Sequence, residues 1–283
     1  MLSMDDVRAG LKDIEENYTR HLTTHFGEWK TWAEQSDRMY AGEEVKEEEV
    51  PQVFQTEMRV VKVLKEMDEL GEFDWNNPTL KLLFAELASG PFHRYFGGII
   101  ADTVMRLAKI TTVSSLIEIG AGDGRLTELL LARMKEKKLF LPLLLTDSKP
   151  VVEIATLKLK EQYPEIPLQS FVWDITKPPA PEVKNNISHP ALLYERYGLT
   201  YTNYQAIDNL AQVGDILVLG GFFNNTSDIY GYDKIFAKIG FKNLLLSEVE
   251  KKLKAHYPNI YAVDRKVTET IQFPNTTLLL AWR

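Results

Sequence analysis

The chain has 283 residues, 45% of them hydrophobic and 26% charged, the balance of a folded soluble protein and not of a disordered one. Its net charge of −7 argues against a broad grip on nucleic-acid phosphates. The absence of cysteine excludes disulfides, thiolate metal sites and iron–sulfur clusters.

The chain begins Met-Leu-Ser-Met-Asp-Asp, acidic where a secretory leader is basic. The apolar run Leu139 to Leu145 is too short to cross a bilayer. No membrane partner and a cytoplasmic setting are therefore expected. Ser3 followed by Asp6 resembles a capping pair, and Val7, Leu11, Ile14, Tyr18 and Leu22 recur at helical spacing. The pattern runs on through Phe26, Trp29 and Trp32, with Gly27 as its weak point. Such a stripe needs a partner, either the body of the protein or a second subunit in a homodimer. Residues 40–52 read as an acidic, solvated linker. A second helix is predicted from Val53 to Leu70, stopped by Gly71. A third runs from Leu80 to Ala88 behind Pro78, and a fourth from Phe92 to Lys109.

From Val113 the pattern changes. Val113 to Ile119 is a short apolar run ending in glycines, as in a buried strand. Helices are expected at Leu126–Lys137, Val151–Tyr163 and Asn203–Gln212. Strands are expected at Phe140–Leu145, Leu168–Ile175, Ala191–Glu195 and Asp215–Phe222. This alternation predicts an α/β fold, a mostly parallel Rossmann-like sheet with helices on both faces. Ile260 to Phe273 and Thr276 to Trp282, joined at Pro274-Asn275, read as an antiparallel hairpin. The expected sheet has seven strands, one reversed near an edge. Residues 1–90 form a helical extension and residues 91–283 the α/β domain.

The most informative stretch is Leu116-Ile117-Glu118-Ile119-Gly120-Ala121-Gly122-Asp123-Gly124-Arg125. A buried strand enters three glycines and then a helix, which lets a ligand approach the backbone closely. A nucleotide triphosphate loop needs Lys and then Ser or Thr after its last glycine, and Arg125-Leu126 does not supply them. A dinucleotide loop needs its third glycine at 125, where Arg125 stands. An acid two residues before Gly-x-Gly-x-Gly remains as the third reading, and Glu118 provides it. Asp147, closing the second strand, is placed to accept hydrogen bonds from ribose hydroxyls. Asp174 closes the third in Phe171-Val172-Trp173-Asp174-Ile175.

In this order of motifs, residues 92–283 resemble class I S-adenosylmethionine-dependent methyltransferases, most of all those acting on small molecules, including members of polyketide assembly lines. The resemblance implies S-adenosylmethionine as cofactor and a small-molecule acceptor. It implies cofactor contacts from Tyr95, Glu118, Gly120, Ala121, Gly122, Gly124, Asp147, Ser148, Asp174, Ile175 and Glu195. In this family an N-terminal helical segment often covers the acceptor pocket, a role open to residues 1–90. The fourth strand departs from the family pattern, reading His189-Pro190-Ala191-Leu192-Leu193-Tyr194-Glu195-Arg196-Tyr197. Candidates for a catalytic base are Glu195, Tyr201 and His93, with Tyr204 nearby and Phe222-Phe223 placed to line an acceptor pocket. His21 and His25 stand one helical turn apart, but no third ligand is evident and no metal is expected. A catalytically silent cofactor-binding partner and an NAD-dependent oxidoreductase remain as alternatives.

Overall fold

The computed structural model describes residues 2–71, 77–202, 204–221, 223–224, 230–238, 240, 242, 244–263 and 277–283. Helix α1 (Met4–Tyr40) is continuous for 37 residues and starts on a Ser3–Asp6 capping box. Gly27 does not break it. That glycine points into open space, while Val7, Leu11, Ile14, Tyr18, Leu22, Trp29 and Trp32 are buried on the other side. Each large apolar side chain buried this way contributes about 1.5–3 kcal/mol, more than the roughly 1 kcal/mol a helical glycine costs.

Helices α2 (Gln55–Leu70), α3 (Pro78–Ser89) and α4 (Pro91–Ile110) follow. Gly71 ends α2 in a left-handed conformation, φ 67°, and Asn77 caps α3 through the N–H of Leu80. The alternating part comprises β1 (Ser115–Ile119), α5 (Arg125–Lys137), β2 (Leu143–Asp147), α6 (Val151–Gln162) and β3 (Leu168–Val172). Next come α7 (Pro181–Asn185), β4 (Ala191–Arg196), α8 (Gly198–Tyr201), α9 (Ala206–Leu210) and β5 (Ile216–Gly221). The chain continues through β6 (Phe223–Asn224), α10 (Gly231–Lys238), β7 (Leu244–Leu245), α11 (Leu246–Lys254), β8 (Asn259–Ala262) and β9 (Thr277–Trp282).

The main sheet has seven strands in the order β3-β2-β1-β4-β5-β9-β8. All pairs are parallel except β5 with β9 and β9 with β8. The reversed strand therefore lies one place in from the edge. The turn expected at Pro274-Asn275 lies outside the described residues. Strand β2 starts at Leu143 and not at Phe140, because Pro142 has no N–H to donate and only its carbonyl joins the ladder, accepting from Leu116. The helix expected over Asn203–Gln212 is shorter, Ala206–Leu210.

Two apolar layers sandwich the sheet. Residues from α1, α2, α4 and α5 share one core with Leu116, Leu145, Tyr194, Val218 and Trp282. On the other face α9 and α11 cover Ile117, Ile119, Leu193, Leu219 and Leu279. Helix α1 thus finds its partner within the chain. Trp282 Nε1 donates to the Leu2 carbonyl at 2.8 Å, and Tyr261 OH donates to Glu15 at 2.5 Å. Among the described residues, no helix is long and apolar enough to cross a membrane.

Candidate functional site

In an open parallel sheet the ligand crevice lies at the carboxyl ends of the strands, where the strand order reverses. Here that point falls between β1 and β4, and the glycine loop leaves β1 beside it. Gly120, Gly122 and Gly124 all have positive φ, 67°, 55° and 85°. A Cβ at Gly120 would meet nothing within 4 Å, and one at Gly122 only the Gly120 carbonyl at 4.0 Å. These two faces are open cradles. Gly124 is different: a Cβ there would press Leu159 at 3.0 Å, so this glycine lets α5 pack on α6.

The loop is pinned from beneath. Ala121 N–H donates to the Thr146 carbonyl, and the Thr146 hydroxyl donates to the Glu118 carbonyl at 2.9 Å. Gly122 N–H donates to Asp147 Oδ2 at 3.0 Å, and Lys149 N–H to Asp147 Oδ1 at 3.0 Å. A carboxylate has lone pairs left after two such bonds, so Asp147 can still accept from two vicinal hydroxyls. Exposed Ser148 follows it.

Strand β3 delivers Asp174 to the same end, since Trp173 N–H donates to the Asp147 carbonyl at 2.7 Å. Asp174 Oδ1 accepts from the hydroxyl and N–H of Thr176, which hold its carboxyl below the ordinary range. Ile175 is buried and its carbonyl accepts from Asn209 at 2.8 Å.

Glu118 lies beneath the loop, 1% exposed. Its Oε2 accepts from Thr127 at 2.8 Å and from Tyr194 OH at 2.7 Å. Burial pushes its carboxyl up to about 7, against these bonds and the charge of Arg196. The register pairs Glu118 with Tyr194 and Ile119 with Glu195. Alternation along the strands therefore puts Glu195 on the opposite face, wholly buried. Its Oε2 accepts the Gly198 N–H, and Oε1 has no partner.

His93 sits in the first turn of α4, at the same end of the sheet. Its Nδ1 is 3.2 Å from Tyr197 OH, and its Nε2 is 3.7 Å from Glu57 Oε1 of α2, with both side chains only 12–13% exposed. Tyr197, just past β4, has φ 66°, a conformation rare outside glycine and concentrated at functional sites. His93 and Glu57 line a cavity of about 400 Å³ together with Gln52, Thr56, Leu87 and Phe92, within the size range of small-molecule pockets.

Other candidates sit elsewhere. Tyr95 stacks on His21 with centroids 3.8 Å apart, and its OH donates to the Asn17 carbonyl of α1. His25 lies 2.6 Å from Glu28. Tyr204 OH accepts from Leu245 N–H, tying the segment just before α9 to β7. The Tyr201 side chain and Phe222 lie outside the described residues, and Phe223 is buried. Sequence reasoning missed Glu57, which lies far from His93 along the chain and carries no motif. It also missed the role of Arg125, which donates to the Ala85 carbonyl at 2.6 Å and to Ser89 at 2.5 Å, fastening α3 beside the loop.

No family model matches the chain, and no curated protein matches it in sequence. Solved structures do match in fold. The carbon-methyltransferase (CMeT) domain of the citrinin polyketide synthase superposes with a TM-score of 0.66 at 15% identity, over 81% of this chain and 65% of that one. The DszA carbon methyltransferase gives 0.63 at 14% identity, over 81% and 66%. The CurJ carbon methyltransferase gives 0.60 at 15%, with the same coverage. The chain spans about two thirds of the length of each. It has their fold: a mostly parallel seven-stranded sheet with one reversed strand, plus helices ahead of it.

Proposed function

We propose that a chain with this fold, and with this loop at the head of its sheet, transfers a methyl group from S-adenosylmethionine to a small-molecule acceptor. The observation that carries the reading is the bond from Gly122 N–H to Asp147. It sets an open backbone cradle against a carboxylate at the ends of β1 and β2. Gly120, Ala121 and Gly122 would hold the amino-acid half of the cofactor, with Asp147 and neighbouring Ser148 at its ribose. Asp174 and Ile175 would meet the adenine. Glu118 would support the loop from beneath, and Gly124 would set the helix behind it.

Bound there, the cofactor supplies an electrophilic methyl on a sulfonium, so the protein's task is alignment and removal of the acceptor's proton. Alignment is worth about 7–11 kcal/mol in favourable cases, and a base about 10²–10⁴-fold. His93 is the base we favour. Tyr197 and Glu57 would fix the ring from its two sides, and the adjoining cavity would receive the acceptor. Residues 1–90 then act as a lid that shapes access to the domain formed by residues 91–283.

Calorimetric titration with S-adenosylmethionine, S-adenosylhomocysteine and NAD tests the cofactor. Micromolar binding of the two sulfur compounds is expected, and binding of NAD alone overturns the reading. A panel of small acceptors, read by S-adenosylhomocysteine release, tests the reaction. His93→Gln is expected to lower turnover by about 10²-fold or more with cofactor affinity unchanged.

A further inference from the structure

Three arginines from three separate elements line a second hollow, of about 350 Å³: Arg94 of α4, Arg125 of α5 and Arg196 at the end of β4. Glu128 is the one carboxylate in its lining, so positive charge dominates there. Like charges gathered at one place repel, and two of these stand where a helix least favours a cation. Arg125 is the first residue of α5, and Arg94 closes the first turn of α4, both at the positive end of a helix dipole. No acid in the first turn of α4 offsets this. The arrangement costs stability that a bound anion would recover.

The guanidinium groups also keep donors in reserve. Arg125 is held by Asp123 through Nε and by the Ala85 carbonyl and Ser89 through Nη1, which leaves Nη2. Arg196 donates from Nη1 to the His93 carbonyl at 3.1 Å, which leaves Nε and Nη2. Arg94 is exposed and makes no hydrogen bond or ion pair among the described residues. Much of the remaining wall is apolar, from Ala88, Leu129, Ala132 and the ring of Tyr163. The hollow shares no lining residue with the cavity at His93.

We propose that this hollow binds a small phosphate monoester, distinct from the methyl acceptor. A carboxylate offers two oxygens in a plane. A phosphate monoester carries about two negative charges at neutral pH and presents three acceptor oxygens, one for each guanidinium, and arginine is the side chain whose fork matches them. The apolar wall then takes the organic part of the ligand, in a space of ordinary small-molecule size. Because Arg196 also holds the His93 carbonyl, the ligand steadies the first turn of α4. The inference does not depend on the cofactor reading.

Ligand-observed NMR on the intact chain, with phenyl phosphate as the probe, tests it without S-adenosylmethionine. Saturable binding is expected, about tenfold or more tighter than that of phenyl sulfate, its singly charged isostere, and tighter than that of inorganic phosphate. Arg94→Gln removes a side chain without internal partners, so the fold survives, and the affinity should fall about tenfold. Glu128→Gln should raise it severalfold. Amide exchange in the first turn of α4 should slow when phenyl phosphate is present. Absence of saturable binding overturns the proposal, as do curves for both variants that overlie the wild type. An equal loss in Lys158→Gln, on the exposed face of α6, also overturns it, since the attraction would then be diffuse. Inorganic phosphate binding as tightly as phenyl phosphate would overturn the assignment of a monoester.

Discussion

At the scale of single residues, the buried carboxyls and the loop glycines carry the sharpest consequences. Glu118 and Glu195 are raised from 4.5 to about 7 and about 8 by desolvation. The folded chain then holds protons that the unfolded chain has lost. The stabilisation is complete below pH 4.5 and disappears as pH rises through 7 and 8. Thermal melting is therefore expected to fall between pH 5 and 8, and Glu118→Gln should flatten the lower part of that fall. A melting temperature that rises across this window overturns the assignment. Removing the Tyr194 hydroxyl by Tyr194→Phe deprives Glu118 of one of its two side-chain donors and should cost about 1–3 kcal/mol in urea unfolding. Gly120→Ala places a Cβ at φ 67°, a strain of about 1–2 kcal/mol. Because that Cβ enters the open cradle, S-adenosylhomocysteine affinity should drop about tenfold or more. Unchanged affinity would place the ligand elsewhere.

At the scale of elements, α1 and the loop helices are held by different means. The exposed, unobstructed Gly27 wastes backbone entropy, and Gly27→Ala is expected to stabilise the chain by about 0.5–1 kcal/mol in the same urea assay. Arg125 joins the loop to α3 by two hydrogen bonds. Arg125→Ala should raise amide exchange in α3 around Ala85 and Ser89 while leaving α1 unchanged. Periodicity made α1 to α6 legible, because each buries a stripe of one period. It gave no reading of the chain between Phe222 and Ile260, where α10, α11 and the two-residue strands β6 and β7 lie. A two-residue strand has no period to detect, and α10 is fixed by its docking on α1 and α2.

At the scale of the whole molecule, α1 and the sheet share one core, from Val7 and Tyr18 to Trp282. A single cooperative unfolding transition is expected in calorimetry, and two separated transitions would show that residues 1–90 fold apart. The sequence by itself determined the alternating strands and helices, the reversed C-terminal strand, the glycine loop and the acids that close β1, β2 and β3. All of these are set by local spacing and by residues such as glycine that act where they stand. Only the tertiary structure decided that Tyr95 turns to α1, that Glu57 reaches His93 from α2, and that Glu195 is sealed with one oxygen unpaired. Those facts depend on which distant segments meet and on which face of a strand a side chain leaves, and desolvation, the cause of the raised carboxyls, exists only once those faces are closed.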